Sequence, residues 1–332
     1  MSTRPVSRRL LALFITLMLP VMFVIGLAPA AAQSDDDETP TPEVIIARWD
    51  EESRFTILIA GMDRRPTERS SLKVRTDALM LVSIDPATQH VGILHIPRDL
   101  FFAMPPSPGS TESPLVRVNT LLLRGEERQE GYGPYMIMDT LQYNLGIYID
   151  GFILFDFEAF IDIVDALGGV EITTTYPIND PTYPDMNYGF DPFYLRAGDH
   201  TLDGETALKF VRTRHSDNDY ERGERQIQMV RAVVAKATSP RILPGLILQG
   251  PDLLEALEGR LYTDLTLADA VALAGFAASL PEDAIDTGVI ERPYITGTSV
   301  GDGTSGVTIK RDTIGELLEE VFGEGYSDTQ GG

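Results

Sequence analysis

Ala78-Leu79-Met80-Leu81-Val82-Ser83-Ile84-Asp85-Pro86-Ala87-Thr88 is followed, two residues later, by Val91-Gly92-Ile93-Leu94-His95-Ile96-Pro97-Arg98-Asp99. The fold turns on this stretch. Two apolar runs of strand length flank a turn signal, Asp-Pro-Ala-Thr, and so predict a β-hairpin. Pro97 ends the second run, because proline cannot donate to a strand ladder. A third buried-type run, Phe55-Thr56-Ile57-Leu58-Ile59-Ala60, precedes the hairpin and ends at Gly61. In a hairpin the start of the first strand lies beside the end of the second. Arg75 and Asp77 are therefore expected next to Arg98 and Asp99. If the 55–60 run is antiparallel to the 78–84 run, Asp63 reaches the same edge. Two arginines and three aspartates from separated segments then converge.

Beyond the hairpin, Pro105 to Pro114 is a Pro-rich excursion with the character of a mobile loop. Gly131-Tyr132-Gly133 is a turn. Phe157 to Leu167 has helical apolar spacing at Phe157, Phe160, Ile161, Val164 and Leu167. Gly168-Gly169 stops that helix, and Val170 to Thr173 resumes as a strand. Tyr176 to Tyr194, rich in Pro, Asn and Asp, is expected as a long loop. Gly204 to Phe210 is a short helix, Glu221 to Lys236 a longer one. Thr266 with Asp269 forms a capping-box signature opening a helix from Leu267 to Leu280. A strand at Gly306–Lys310 and a helix near Thr313–Phe322 follow.

Between the two middle helices lies the densest arginine cluster, Val211-Arg212-Thr213-Arg214-His215-Ser216-Asp217-Asn218-Asp219-Tyr220-Glu221-Arg222-Gly223-Glu224-Arg225-Gln226. Its chain carries a formal net charge of -23. Guanidinium groups offer planar, permanently charged donors that match phosphate oxygens. On an extended segment Arg212 and Arg214 point to one face, and at a helix start Arg222 and Arg225 share one. A helix N-terminus adds free N–H groups and positive dipole. Together these suggest a pyrophosphate cradle. A plainer reading is a surface network of salt bridges with Asp217, Asp219, Glu221 and Glu224.

The acidic balance argues against a nucleic-acid partner. The absence of cysteine excludes disulfides, thiolate metal sites and cysteine nucleophiles. Arg4, Arg8 and Arg9 precede an apolar run from Leu10 to about Ala28, and Asp35, Asp36, Asp37 and Glu38 follow it. This asymmetry directs the body of the chain out of the cytoplasm. The run is about long enough to span a bilayer, and Ala30-Ala31-Ala32 also fits signal-peptidase cleavage. Residues 1–32 are thus a signal-anchor or signal peptide. The chain is held at the cell membrane by a single pass, or secreted if cut after Ala32. Residues 33–52 are an acidic, Pro-containing linker, 53–323 the main domain, and 324–332 a disordered tail.

Asp63, Asp77 and Asp99 are candidates for a hard-cation site, since carboxylates suit Mg²⁺ shared with substrate phosphates. One of them could instead serve as a general base toward a hydroxyl. Arg75 and Arg98 would flank a diphosphate and offset charge on a leaving phosphate. Each of these residues has a structural alternative, as a turn cap or a local ion pair. The four histidines, His90, His95, His200 and His215, show no metal-ligand spacing. A nucleophile-elbow serine and a phosphate-binding Gly-rich loop are both lacking.

In order, Ile57–Asp63, Arg75–Ile84, Ile96-Pro97-Arg98-Asp99, Val118-Asn119, Asp165–Val170, Leu202–Leu208 and the Val211–Gln226 stretch resemble the LytR-CpsA-Psr family. The likeness runs from about Phe55 to Ala237 and more loosely to about Phe322. It implies an extracytoplasmic α/β domain, expected as a three-layer α-β-α fold with a central mixed, largely antiparallel sheet. By resemblance, the activity is phosphotransfer of a glycopolymer from a polyprenyl-pyrophosphate carrier to a peptidoglycan sugar hydroxyl, with Mg²⁺. The lipid tail would lie in an apolar tunnel under the sheet. The family pattern assigns Arg75, Arg98, Arg212, Arg214, Arg222 and Arg225 to the pyrophosphate, and brings Gln226 to a phosphate oxygen. It assigns Asp77 to Mg²⁺ with Asp63 in support, and Asp99 to the role of base. Departures are Arg117-Val118 before Asn119, where the family often has Lys-Ile, and the Pro-rich 101–116 loop. Two other activities stay open: hydrolysis of the same pyrophosphate, and non-catalytic binding of a polyprenyl lipid by a regulatory protein.

Overall fold

Alternation along the first strand sets the layers. In the computed structural model, which describes residues 49–64, 71–185, 189–214, 219–281, 284–300 and 303–326, Leu58, Ala60 and Met62 face one side and Phe55 and Ile57 the other. The apolar run at 10–28, the linker up to residue 48, His215–Asn218 and the tail from 327 lie outside the described residues. Among those that are described, no helix is long and apolar enough to cross a membrane.

In chain order the strands and helices are β1 (Phe55–Met62), β2 (Thr76–Asp85), β3 (His90–His95), β4 (Leu100–Ala103), β5 (Leu115–Arg117), α1 (Leu121–Arg128), α2 (Gly133–Leu145), β6 (Gly151–Phe155), α3 (Phe157–Ala166), β7 (Val170–Thr174), β8 (Ile178–Asp180), β9 (Phe193–Leu195) and β10 (Gly198–Leu202). The second half continues with α4 (Gly204–Arg212), α5 (Asp219–Ala237), α6 (Leu243–Ala256), β11 (Leu261–Thr263), α7 (Leu267–Ser279), β12 (Ile285–Val289), β13 (Ile295–Ser299), β14 (Ser305–Ile309) and α8 (Ile314–Phe322).

The central sheet has the order β11-β6-β1-β2-β3-β12. Its β11–β6, β1–β2 and β2–β3 pairs are antiparallel, while β1–β6 and β3–β12 are parallel. It is mixed and largely antiparallel, as the hairpin reading requires. One face packs Leu58, Leu79, Leu81 and Leu94 against α1, α2 and α8 through Leu121, Ile137, Leu141, Leu318 and Phe322. The opposite face packs Ile57, Met80 and Ile93 against Ile227 of α5 and Leu273 and Phe276 of α7. The result is an α-β-α sandwich. Each fully buried leucine contributes roughly 1.5–3 kcal/mol by leaving water. Trp49 joins this core, 3% exposed, with its backbone N–H donating to Asp269 at 3.1 Å. The last residues of the expected linker thus belong to the domain.

A satellite core lies beyond the sheet, built from α3, α4, β7–β10 and Met229 of α5. Gly168 and Gly169, with φ of +76° and +86°, turn the chain out of α3. A side chain at Gly169 would meet the Leu202 carbonyl at 2.9 Å, so the turn also needs close backbone approach. The segment from Tyr176 to Tyr194, expected as loop throughout, contains β8 and the start of β9, paired with each other from Ile178↔Leu195 to Asp180↔Phe193. These strands are three residues long, too short for an alternating pattern to be legible.

Candidate functional site

The hairpin register does what the sequence implies. Met80 pairs with His95, and the Asp63 backbone N–H donates to the Arg75 carbonyl at 2.8 Å. The ends of β1, β2 and β3 therefore share one edge. There the Arg98 guanidinium forms an ion pair with Asp77. The next residue after Asp63, Arg64, is 1% exposed and pairs with Asp156 at 2.7 Å. Asp156 also caps α3 by accepting from the Ala159 N–H at 2.9 Å. That buried link fixes the end of β1 to the start of α3 and so places Asp63.

A cavity of about 550 Å³ opens at this edge. Of the residues singled out in the sequence, Asp63, Asp77, Arg98, Arg212, Arg214, Arg222 and Gln226 line it. Arg75, Asp99 and Arg225 are not among its lining residues. Arg75 is exposed beside it. Asp99 is held by Arg117 at 3.2 Å and lies 3.7 Å from Arg98 Nε. Arg225 turns back onto its own scaffold: Nε donates to the Phe210 carbonyl at 2.9 Å and Nη2 to the Thr213 carbonyl at 2.6 Å. It fixes the end of α4 against α5. Helical spacing alone put Arg222 and Arg225 on one face, but Arg222 faces the cavity and Arg225 the neighbouring backbone. Arg212 also differs from expectation. It is the last residue of α4, not part of an extended strand.

What orients Arg212 was missed in the sequence. Its guanidinium stacks 4.0 Å from the Phe157 ring centre and 5.7 Å from that of Tyr183. Its Nη1 donates to the Tyr183 hydroxyl at 3.0 Å. Burial pushes the Tyr183 phenol upward, opposed by the adjacent Arg212 charge, so it stays neutral. Asp180, Thr182 and Pro184 complete this wall, and Asp180 accepts from the Thr213 hydroxyl at 2.6 Å. The one available signal was Asp180-Pro181-Thr182-Tyr183-Pro184, where an aromatic between prolines marks a packed loop.

Gln226 is fixed at both ends. Its Oε1 lies 3.0 Å from His95 Nε2 and its Nε2 donates to the Val211 carbonyl at 3.3 Å. Gly223 allows this: a Cβ there would sit 2.7 Å from the His95 ring. The imidazole of β3 thus packs directly on α5 and sets the amide that faces the cavity.

Four arginines face three aspartates in the cavity, a local positive excess in a chain of net charge -23. Among the described residues no group of three His, Asp or Glu forms a metal cage. Asp63 and Asp77 both line the cavity, and a hard cation there would need further oxygens, such as those of a phosphate.

The cavity leads into an apolar slot. Asp77, Val211, Arg212 and Gln226 line both. The slot's floor is Gly61 opposite Ala78 in the β1–β2 register, and its walls include Met80, Phe155, Phe157, Phe160 and Met229. Small residues at the end of the strand pair leave the space that the aromatics border.

The site is thus a cationic cavity continuous with an apolar slot, at one edge of an α-β-α sheet. The chain belongs to the LytR-CpsA-Psr family: the LytR_cpsA_psr family model matches residues 21–321. It is 29% identical over 229 residues to the polyisoprenyl-teichoic acid–peptidoglycan teichoic acid transferase TagT of Bacillus subtilis (strain 168), covering 68% of this chain and 65% of that one. The chain therefore spans just under two-thirds of that relative's length. The crystal structure of B. subtilis TagV superposes with a TM-score of 0.62 at 22% identity, covering 84% of this chain and 99% of that one. A structure of TagT bound to LIIa-WTA gives 0.59 at 23%, covering 83% and 93%. Both share the fold.

Proposed function

We propose that this protein is an extracytoplasmic phosphotransferase that moves a glycopolymer from a polyprenyl-pyrophosphate carrier to a peptidoglycan sugar hydroxyl. The observation that carries the reading is the junction of cavity and slot across Asp77, Val211, Arg212 and Gln226. A prenyl pyrophosphate has this dual character. The name of the relative TagT, which couples a polyisoprenyl-linked polymer to peptidoglycan, supports the same substrate classes. The charge asymmetry around residues 10–28 supports export and attachment to the membrane.

In this reading Arg98, Arg212, Arg214 and Arg222 hold the diphosphate. The acceptor hydroxyl oxygen attacks the phosphorus that bears the glycan, and the bond to the bridging oxygen breaks. Polyprenyl phosphate leaves with its tail in the slot. The guanidinium groups offset the charge that develops on it. The acceptor's proton passes to Asp63, the carboxylate at the exposed mouth of the cavity, in place of Asp99, the family-assigned base, which Arg117 holds outside the lining at 3.2 Å. Mg²⁺, which Asp77 with Asp63 in support would hold, would supply further charge neutralisation. The slot encloses about 70 Å³, so a tail enters by displacing side chains, for which Met80 and Met229 are suited.

The test is turnover by the full chain in detergent, given a polyprenyl-pyrophosphate glycan, peptidoglycan fragments and Mg²⁺. Release of polyprenyl phosphate with glycan joined to the fragments, lost in Asp77→Ala and Arg98→Ala and on chelation, is the expected result. Release without coupling makes the protein a hydrolase. Tight lipid binding without turnover, indifferent to Asp77→Ala, removes the enzyme reading.

A further inference from the structure

A second groove, of about 370 Å³, lies away from the cradle, between the Pro-rich loop that follows β4 and the outer face of α2. At about 3.3 Å per residue, β4 and its flanks carry the chain roughly 17 Å from Asp99 to Met104 at the groove's edge. The loop's base is closed, not free. Met104 N–H donates to the Pro114 carbonyl at 3.0 Å, and Asn144 brackets Ala103, accepting from its N–H at 3.2 Å and donating to its carbonyl at 2.7 Å. The Pro-rich loop is thus anchored at its base.

The lining combines flat apolar faces with hydrogen-bonding groups. Pro105, Pro106 and Pro108 face Tyr132 and Tyr143, and Tyr143 is 42% exposed. Its hydroxyl is held by Ser113 at 3.3 Å, and the Arg311 guanidinium lies 5.6 Å from its ring centre. Asp139 uses one oxygen to accept from the Tyr132 hydroxyl at 2.7 Å, leaving the other for a ligand. Arg128 stacks 5.4 Å from the Tyr132 ring centre and donates to no described side chain. Gln142 accepts the Ile149 N–H at 2.8 Å, which leaves its NH₂. Thr140, 0% exposed, lines the groove with a hydroxyl that has no hydrogen-bond partner. An orphaned buried hydroxyl beside aromatic faces is what a polar, ring-shaped ligand would satisfy.

We propose that this groove is a saccharide-binding subsite, and that it holds an uncharged pyranose unit of the acceptor glycan a few sugars from the reacting hydroxyl. Tyrosine and proline faces match the C–H faces of a pyranose. Asp139, Gln142 and Thr140 offer acceptor and donor groups to its hydroxyls or acetamide. Arg128 and Asp139 balance each other, which fits a neutral sugar and not a polyphosphate. Naming the acceptor as occupant rests on the transferase reading above, whereas the saccharide chemistry stands on the groove alone.

The test is calorimetric titration of the full chain in detergent with chitotetraose, a neutral N-acetylated oligosaccharide, and separately with glycerophosphate. The expected result is chitotetraose binding that weakens about 10-fold or more in Tyr143→Ala and in the near-isosteric Asp139→Asn. The same binding should persist in Arg98→Ala. Thermal melts and prenyl-pyrophosphate binding report whether the groove variants remain folded. Chitotetraose binding lost in Arg98→Ala but kept in both groove variants would place the sugar at the cradle only and overturn the proposal. Absence of binding to the wild type, or preference for glycerophosphate, would overturn it too. Groove binding with no polymer transfer would sink the transferase reading and leave the subsite standing.

Discussion

The two halves of the cavity are built differently. Asp63, Asp77 and Arg98 sit at the ends of adjacent strands, where backbone register fixes them. Arg212 and Arg222 come from a helix end and a helix face, where side-chain packing fixes them, and Arg214 from the connection between. The strand half depends on ladder hydrogen bonds between β1, β2 and β3. The helix half depends on the Phe157–Arg212–Tyr183 stack, the Arg225 struts and the His95–Gln226 hydrogen bond. Damage to the first should therefore act on chemistry with the fold intact. Damage to the supports of the second should act on stability first and on function through it.

The largest effect should come from Arg98→Ala, with turnover falling about 10²–10³-fold and an unshifted thermal melt. An equal loss of melting temperature would erase the distinction between the halves. Arg225→Ala should cost roughly 2–3 kcal/mol of stability, since two charge-assisted hydrogen bonds to backbone carbonyls are lost. Chemical denaturation measures this, and turnover in the cold should stay far closer to wild type than in Arg98→Ala. Ala78→Leu sharpens the contrast within the strand half. It fills the slot floor and should weaken prenyl-pyrophosphate binding about 10-fold with inorganic pyrophosphate unaffected. The smallest effect is expected at Asp203, which caps α4 by accepting from Thr206 N–H at 2.9 Å. Asp203→Ala should cost about 1 kcal/mol. Bonding to Thr206 holds the Asp203 carboxyl below its ordinary value of 3.8. The difference from wild type should be full above that value and should vanish as pH falls through the lower folded-state one, as denaturation at several pH values would show.

The same division explains what was legible. Register follows from strand pattern and turn chemistry, so the hairpin alone carried Asp77 to Arg98 and, with β1, Asp63 to the same edge. The capping box at Thr266 and Asp269 and the Gly168-Gly169 stop rest on local rules and hold in the structure. Helical periodicity says which residues share a face, not which neighbour each side chain takes. Arg222 and Arg225 could not be told apart that way. Tyr183 was hidden because its role is to stack on a residue distant in sequence, within a segment whose strands are only three residues long. Asp99 follows Arg98 directly, yet it is drawn off by Arg117, a pairing that only the β4–β5 ladder brings about.

Titration of prenyl pyrophosphate, inorganic pyrophosphate and the matching prenyl alcohol into wild type, Arg98→Ala and Ala78→Leu tests the joined cradle and slot most directly. Prenyl pyrophosphate should bind far more tightly than either fragment. Arg98→Ala should then lower affinity for both pyrophosphates, and Ala78→Leu only for the prenylated one. Equal affinity for prenyl and inorganic pyrophosphate, or an Ala78→Leu variant that binds the prenylated ligand as wild type does, would contradict a joined site.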